Sequence, residues 1–194
     1  MSGELTGLLL IGGASRRMGR PKHLMPIAGT PAYLVLTRML QAVTGRPAFI
    51  AGAGALDEVH SASRIPDRDG GGGPLAGLLG FWDQYPQADL LLLATDLPAM
   101  SEAALRWLIA QSTTTQALVC RPRFPERPFG EPLAAVYRAA VHPSLEAAWT
   151  QGIHGIHRTV PDEVLHEPGI PEPYRLCFTG ANDGETWARL QNRS

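Results

Sequence analysis

One loop of the sequence carries the residue types that a polyphosphate requires. Residues 11–25 read IGGASRRMGRPKHLM and directly follow a run of leucines. The backbone N–H groups of residues 12–15 can form an anion-binding concavity, because glycine lets the backbone approach a ligand without a Cβ. Arg17 and Lys22 would add positive charge to it. The loop predicts phosphate binding, and the alternative is a surface loop whose cations are merely solvated.

The loop matches neither of two common phosphate-binding motifs. A Walker A loop ends in Gly-Lys followed by Ser or Thr, whereas Lys22 comes three residues after Gly19 and precedes His23. The dinucleotide-binding pattern GxGxxG is also absent from the loop. Phosphate binding is therefore predicted without assignment to either class.

Cysteine and histidine residues form no metal-binding pattern in the sequence. Cys120 and Cys177 lack CxxC spacing, and no nearby cysteine or carboxylate joins His154 and His157 in a ligand set. We therefore expect neither a zinc site nor a disulfide framework, and a reducing cytoplasm as the location.

Composition excludes two classes of function. The chain has 17 Lys and Arg against 18 Asp and Glu, so it lacks the general basic field that non-specific nucleic-acid binding requires. The apolar run in MSGELTGLLLIGG has no basic region before it and is far shorter than the roughly 20 residues of a membrane span. We expect one domain that binds neither nucleic acid nor a membrane.

The elements that must position the loop alternate between strand and helix patterns. Short apolar runs predict strands, and apolar residues at helical spacing predict helices. The predicted strands are 5–11, 47–51, 89–94, 117–120, 132–137 and 175–178. The predicted helices are 31–43, 74–85, 101–111, 141–151 and one from about 183. The segment RPRFPERPFGEP is too rich in proline for either and predicts an excursion on the rim. The alternation predicts an α/β fold with a parallel-rich sheet between two helical layers. Such sheets bind ligands beyond the carboxyl ends of their strands, so the loops after Ile11 and Ala94 are candidates.

The order of residues in the loop carries a family resemblance. GGASRRMGRPK resembles the signature of the nucleotidyltransferases related to the MobA-type molybdenum cofactor guanylyltransferases, roughly LAGGxSxRMGxDK or, in close relatives, RMGxPK. Later segments resemble the family in the same order: IAGTPAYLVLTRML, GPLAGLL, LLLLATDLP, GEPLAAVYRA and FTGANDGETWARL. The resemblance covers most of the chain. It implies a three-layer Rossmann-like nucleotidyltransferase fold with a mostly parallel central sheet, in a single domain of residues 1–194.

The resemblance implies a role for each matching residue of the loop. Gly12, Gly13 and Ser15 would cradle the triphosphate. Arg17 would pair with its outer phosphates, and Lys22 would lie near the α and β phosphates, where charge develops. Nucleotidyl transfer depends mainly on such positioning and electrostatic stabilisation.

The resemblance also implies roles beyond the loop. Asp96 and Asn182 would hold Mg²⁺, and Asp96 would complete a catalytic set with Arg17 and Lys22. An aspartate ahead of the glycine run would contact the nucleoside; Asp67 fits best. The implied nucleotide-binding residues are Ile11, Gly12, Gly13, Ser15, Lys22, Asp67, Gly73, Pro74 and Gly77, with Asp69 as the alternative to Asp67.

Two of these residues have other interpretations. Asp96 precedes Leu-Pro and could cap a turn. Asn182 and Glu185 have capping-box spacing, so Asn182 could instead begin the terminal helix. A second asparagine of the family is replaced here by Gly180.

The resemblance implies transfer of GMP from Mg-GTP to the terminal phosphate of molybdopterin bearing molybdenum, with release of pyrophosphate. Gly12-Gly13 favours GTP, because a second glycine leaves room for a purine, whereas Pro21 resembles the cytidylyltransferase relatives. The alternatives are cytidylyl transfer, transfer to another phosphorylated acceptor, and a non-catalytic nucleotide-binding accessory protein. Molybdoenzymes or accessory proteins of cofactor delivery are candidate partners.

Overall fold

A central sheet with helices on both faces forms the fold. The computed structural model describes residues 4–12, 21–52, 64–69 and 73–191. In these residues the strands are β1 (Leu5–Leu10), β2 (Pro26–Ile27), β3 (Thr30–Pro31), β4 (Phe49–Ala51), β5 (Arg64–Ile65), β6 (Asp89–Ala94), β7 (Val119–Cys120), β8 (Ala134–Tyr137) and β9 (Leu165–His166). Seven of these described strands form one sheet in the order β5-β4-β1-β6-β8-β7-β9, and β2 pairs with β3 in a hairpin.

The sheet is mostly parallel. Its one reversed strand among those described is β8, which is antiparallel to both β6 and β7. The two longest strands, β1 and β6, lie side by side over their whole length, from Leu5 opposite Asp89 to Leu10 opposite Ala94. All six residues of β6 are buried, as expected for a strand covered on both faces. The predicted α/β class is confirmed.

The helices lie in two layers. They are α1 (Ala32–Thr44), α2 (Pro74–Gln84), α3 (Glu102–Thr113), α4 (His142–Thr150) and α5 (Gly184–Gln191). Leu9 of β1 packs in a core cluster with α1 and α3, and Leu8 packs in a second cluster with α2 and α4 on the opposite face. Ser101 caps α3 as predicted, since its Oγ accepts a hydrogen bond from the N–H of Ala104 at 3.2 Å. No helix within the described ranges combines the length and hydrophobicity needed to cross a membrane.

One predicted strand is wrong, and four of the described strands were not predicted. Residues 175–178 form turns, in which the N–H of Cys177 bonds to the carbonyl of Tyr174 at 3.0 Å. Phe178 is nevertheless fully buried, so the apolar run reflects core packing, which does not distinguish a strand from a turn. The strands not predicted, β2, β3, β5 and β9, cover two described residues each; β2 and β3 form the hairpin, and β5 and β9 lie at the sheet edges. The other predicted strands and helices are present, with ends displaced by at most two residues.

Candidate active site

A cavity opens at the carboxyl ends of β1 and β6. Its volume is about 240 Å³, and it is lined by Leu10, Gly12, Gly52, Asp67, Gly73, Pro74, Ala94 and Leu133. This is the edge of the sheet at which α/β proteins bind ligands. The cavity brings together four residues predicted to bind nucleotide, namely Gly12, Asp67, Gly73 and Pro74; Asp67 lies in the cavity wall and Asp69 does not.

One side of the cavity depends on close contact between two backbones. The N–H of Ile11 donates to the carbonyl of Ala51 at 2.7 Å, and Gly52 follows with a φ of 145°. A Cβ at position 52 would lie 2.0 Å from the Ile11 carbonyl oxygen, so this position requires glycine. Among the described atoms, the nearest that an added Cβ at Gly12 would meet is the Gly52 Cα, at 4.0 Å. The described part of the chain therefore leaves room for a methyl group at position 12 beside the cavity, whereas the Ile11 side chain is buried in the core.

Helix α2 forms another side of the cavity. Gly73 has a φ of 91° and precedes Pro74 at the first turn, where the fixed φ of proline suits a helix start. Gly77 is buried one turn further on, and a Cβ there would lie 2.8 Å from Leu10 Cδ2 and 3.4 Å from Asp67 Oδ1. Gly77 thus allows α2 to pack directly on β1 and on the Asp67 carboxylate. It does not line the cavity itself.

Three predicted residues from distant parts of the chain meet at the end of β6. Lys22 begins a 3-10 turn, Lys22–Leu24, and its Nζ donates a hydrogen bond to Asn182 Oδ1 at 3.0 Å. The segment that carries Asn182 is held against Asp96 by a backbone hydrogen bond from the N–H of Ala181 to the Asp96 carbonyl, at 2.8 Å. The structure therefore brings Lys22, Asp96 and Asn182 into one place.

The charge of Asp96 is only partly compensated by the protein. Burial raises the pKa of its carboxyl, and the positive charge of Lys22 acts in the opposite direction. A divalent cation would also lower the pKa of Asp96, as Lys22 does. The Asp96 carboxylate and the Asn182 amide supply oxygen ligands suited to a hard cation. The described residues contain no group of three or more His, Cys, Asp or Glu side chains that could hold a metal.

Glu131 is a site residue that sequence reasoning missed. The antiparallel pairing of β6 with β8, with Leu93 opposite Ala134, brings Glu131 towards Asp96 when the register is continued. Burial raises the pKa of Glu131, and the negative charge of Asp96 adds to the effect. Glu131 Oε1 accepts a hydrogen bond at 3.2 Å from the N–H of Leu133, which lines the cavity. The sequence does place Glu131 just before a predicted strand. Glu131 lies at the same edge of the sheet as Asp96 only if that strand is antiparallel to β6, and the sequence does not reveal this direction.

Gly180 also faces Asp96. A Cβ at this position would lie 3.5 Å from Asp96 Oδ2, which is an ordinary van der Waals contact. The asparagine that the resemblance places here would therefore direct its side chain to the carboxylate. Glycine places no side chain there.

The structure decides the capping of α5. Asp183 Oδ1 accepts a hydrogen bond from the N–H of Thr186 at 2.7 Å, and Asp183 O accepts one from the N–H of Trp187 at 3.1 Å. Asp183 is thus the N-cap. The alternative interpretation of Asn182 as the cap is wrong, and its amide oxygen accepts from Lys22 instead.

The remaining predicted residues lie outside the described ranges. These are Gly13, Ser15 and Arg17, all in the phosphate loop. Their roles stay predictions from the sequence.

Comparisons with known proteins identify the family of this chain. Residues 7–164 match the model of the MobA-like NTP transferase domain family. The chain is 29% identical to the molybdenum cofactor guanylyltransferase of Rhodobacter capsulatus, over 98% of this chain and 96% of the relative. It is also 29% identical to a molybdenum cofactor biosynthesis bifunctional protein from Synechocystis, of which it spans 44%.

A solved structure shares the fold of this chain. The crystal structure of molybdopterin-guanine dinucleotide biosynthesis protein A from Archaeoglobus fulgidus superimposes with a TM-score of 0.75 and 22% identity over 97% of each chain. With the family match covering most of the sequence, the nucleotidyltransferase class is established. The chain belongs to the MobA-like NTP transferase domain family.

Proposed function

We propose that the protein transfers GMP from Mg-GTP to the terminal phosphate of molybdopterin carrying molybdenum. The observation that carries this proposal is the convergence of Lys22, Asp96 and Asn182 beside a cavity lined by Gly12, Asp67 and the start of α2. Full-length relatives named as guanylyltransferases support the choice of donor and acceptor.

The reaction needs alignment more than proton transfer. An oxygen of the acceptor phosphate attacks the α phosphorus of GTP and forms a new P–O bond, while the bond to the β phosphate oxygen breaks. The electron pair leaves with pyrophosphate. The attacking oxygen is already anionic, so no general base is assigned, and orientation of the two substrates supplies much of the rate enhancement.

Each described residue has a place in this reaction. Lys22 would stabilise the charge that develops on the α and β phosphates. Asp96 and Asn182 would hold Mg²⁺, which neutralises phosphate charge as a Lewis acid. Nucleotidyltransferases of this kind generally use a divalent metal, and Mg²⁺ suits a site with few protein carboxylates and several phosphate oxygens.

The room at Gly12 supports GTP as the donor. An added Cβ there would be 4.0 Å from the nearest described protein atom, the Gly52 Cα, so the described residues leave space beside the cavity for the larger base. Pro21 favours the second candidate, cytidylyl transfer, because it gives the loop the RMGxPK form of those relatives. We also propose a reducing cytoplasm, which the two buried free cysteines support.

Two measurements test the proposal. The thermal midpoint is compared with each of the four Mg-NTPs, since a ligand at about 100 times its Kd stabilises the folded state by about 2.7 kcal/mol. Pyrophosphate release is then measured with GTP and with CTP, with and without molybdopterin carrying molybdenum. We expect stabilisation by GTP and acceptor-dependent release with GTP. Release with CTP alone would support the second candidate, and no release with any nucleotide would contradict transfer.

A further inference from the structure

Arg68 connects the segment before the glycine run to two helices. Its Nε donates to Asp83 Oδ2 in α2 at 3.0 Å, its Nη2 pairs with the other oxygen of Asp83, and its Nη1 pairs with Glu146 in α4. The Arg68 side chain is only 18% exposed. A bidentate guanidinium–carboxylate pair of this kind fixes geometry as well as charge, and partial burial reduces screening by solvent.

The backbone around Arg68 is held on the same helix. The N–H of Arg68 donates to the Ala76 carbonyl of α2 at 3.1 Å. On the other side of Asp67, the Pro66 carbonyl oxygen lies 2.1 Å from where a Cβ of Gly80 would be, so Pro66 contacts α2 with no space between them. Both neighbours of Asp67 in sequence are therefore fixed to α2.

Among the described residues, the sheet supplies this segment with few hydrogen bonds. The strand that precedes it, β5, covers two described residues, Arg64–Ile65, which lie at the sheet edge and pair with β4. A pairing of this length supplies few hydrogen bonds. The contacts of Arg68 and Pro66 with α2 hold the backbone on both sides of Asp67 against that helix. Because α2 also supplies Gly73 and Pro74 to the cavity, these contacts fix two of its sides relative to each other.

We propose that Arg68 is a positioning residue for nucleoside recognition, which acts through Asp67 and does not itself contact the nucleotide. The inference rests on the proposed function in one respect, namely that the nucleoside occupies this cavity. It adds a determinant of nucleotide selectivity that lies outside the cavity, in an ion-pair network between α2 and α4.

The first test compares Arg68→Met with Arg106→Met. Arg106 is a control on the opposite face of the sheet: it also links two helices, through the Ala42 carbonyl at 3.1 Å and Glu102 Oε2 at 3.4 Å, but its side chain is 56% exposed. Dissociation constants of GTP and CTP are measured by calorimetry. For Arg68→Met we expect the preference for the better nucleotide to fall by about tenfold and kcat to change by less than about twofold, the pattern of lost uniform binding. Arg106→Met should keep the wild-type preference. Equal losses for both nucleotides, or the same loss in both variants, would overturn the proposal.

The second test asks whether Arg68 acts through Asp67. In a double-mutant cycle of Arg68→Met and Asp67→Asn, residues that act as a unit give non-additive effects. We expect the double variant to bind the preferred nucleotide no more weakly than Asp67→Asn alone. Additive losses would show that Arg68 acts independently and would refute the positioning role.

Hydrogen exchange separates failure of this inference from failure of the proposed function. The backbone N–H of residue 68 donates to the Ala76 carbonyl. Its hydrogen should exchange at least about tenfold faster in Arg68→Met than in Arg106→Met, whichever nucleotide the protein uses. Unchanged exchange would contradict the positioning role of Arg68 without contradicting the proposed function. A wild-type preference for CTP would instead refute the guanylyl assignment and leave the Arg68 tests valid, since they are scored against whichever nucleotide binds better. Arg68→Lys should restore only part of the selectivity, because an ammonium cannot form the bidentate pair with Asp83.

Discussion

Lys22 is the single lysine among the 194 residues, and its loss gives the sharpest test of the site. In the free protein, the described contacts that Lys22→Ala removes are the exposed hydrogen bond from Nζ to Asn182 Oδ1 at 3.0 Å and the attraction between Lys22 and the Asp96 carboxylate. An exposed hydrogen bond contributes about 0.5–1.5 kcal/mol to the free energy of unfolding. In the transition state, a fixed cation at developing phosphate charge contributes about 2.7–4 kcal/mol, or roughly 100- to 1,000-fold in kcat. The catalytic effect should therefore exceed the structural one.

The assay follows from this difference. We expect Lys22→Ala to release pyrophosphate at least about 100-fold more slowly, while its thermal midpoint falls by no more than roughly 2–4 °C per kcal/mol lost. Because no other side chain offers an amine, nucleotide should also protect Lys22 from an amine-specific reagent, and the modified peptide can be identified by mass spectrometry. Asn182→Ala removes the same hydrogen bond but keeps the cation, so the metal-free thermal midpoints of the two variants separate loss of the hydrogen bond from loss of the charge. Near-normal turnover in Lys22→Ala would refute the assignment.

Three further predictions use single substitutions or reagents. Burial raises the pKa of Asp96 above its unfolded value, so ionisation of Asp96 destabilises the folded protein as pH rises from the unfolded to the folded pKa. Asp96→Asn should therefore raise the metal-free thermal midpoint at pH 7, and it should abolish the Mg²⁺ dependence of pyrophosphate release. An unchanged magnesium titration would make Asp96 only a turn residue. Gly12→Ala should lower the ratio of kcat/KM for GTP over CTP, because the methyl group occupies space beside the cavity; a wild-type ratio that already favours CTP would contradict the reasoning. Burial raises the pKa of Cys120 to about 12, so iodoacetamide at pH 8 should modify it in urea but not in the native protein, as peptide mass spectrometry can check.

The sequence predicts the fold wherever a segment is long and its environment is uniform. β6 is a continuous apolar run buried on both faces, and α3 has a serine cap followed by helical spacing, so both follow from local physics. The two-residue strand β9 does not, because residues 165–166 carry no alternation and become a strand only by pairing with β7. Residues 175–178 fail for the opposite reason, since their apolar pattern records burial without revealing the backbone conformation.

The sequence predicts those site residues that stand within a short recognisable motif. Lys22 and Asp96 stand in recognisable segments, and the structure brings them together with Asn182 through contacts that the sequence order does not reveal. Arg68 was missed because its role depends on carboxylates 15 and 78 residues away. An arginine is commonly a solvated surface residue, and only packing of α2 against α4 makes this one a bridge.

The reversal of β8 explains why Glu131 and Asp96 lie near each other at this edge of the sheet. In a fully parallel sheet each strand would direct only its carboxyl end to this edge, whereas an antiparallel β8 brings its amino end beside the carboxyl end of β6. Glu131, which precedes β8, thereby comes near Asp96, which follows β6. The backbone bond from Ala181 to Asp96 adds the segment before α5, and with it the Asn182 amide that accepts from Lys22. The positive charges near these two carboxylates are different ones: Lys22 acts on Asp96, whereas Arg127 Nη1 lies 3.8 Å from Glu131 Oε2, so a cation bound at Asp96 would add to the charge of Lys22.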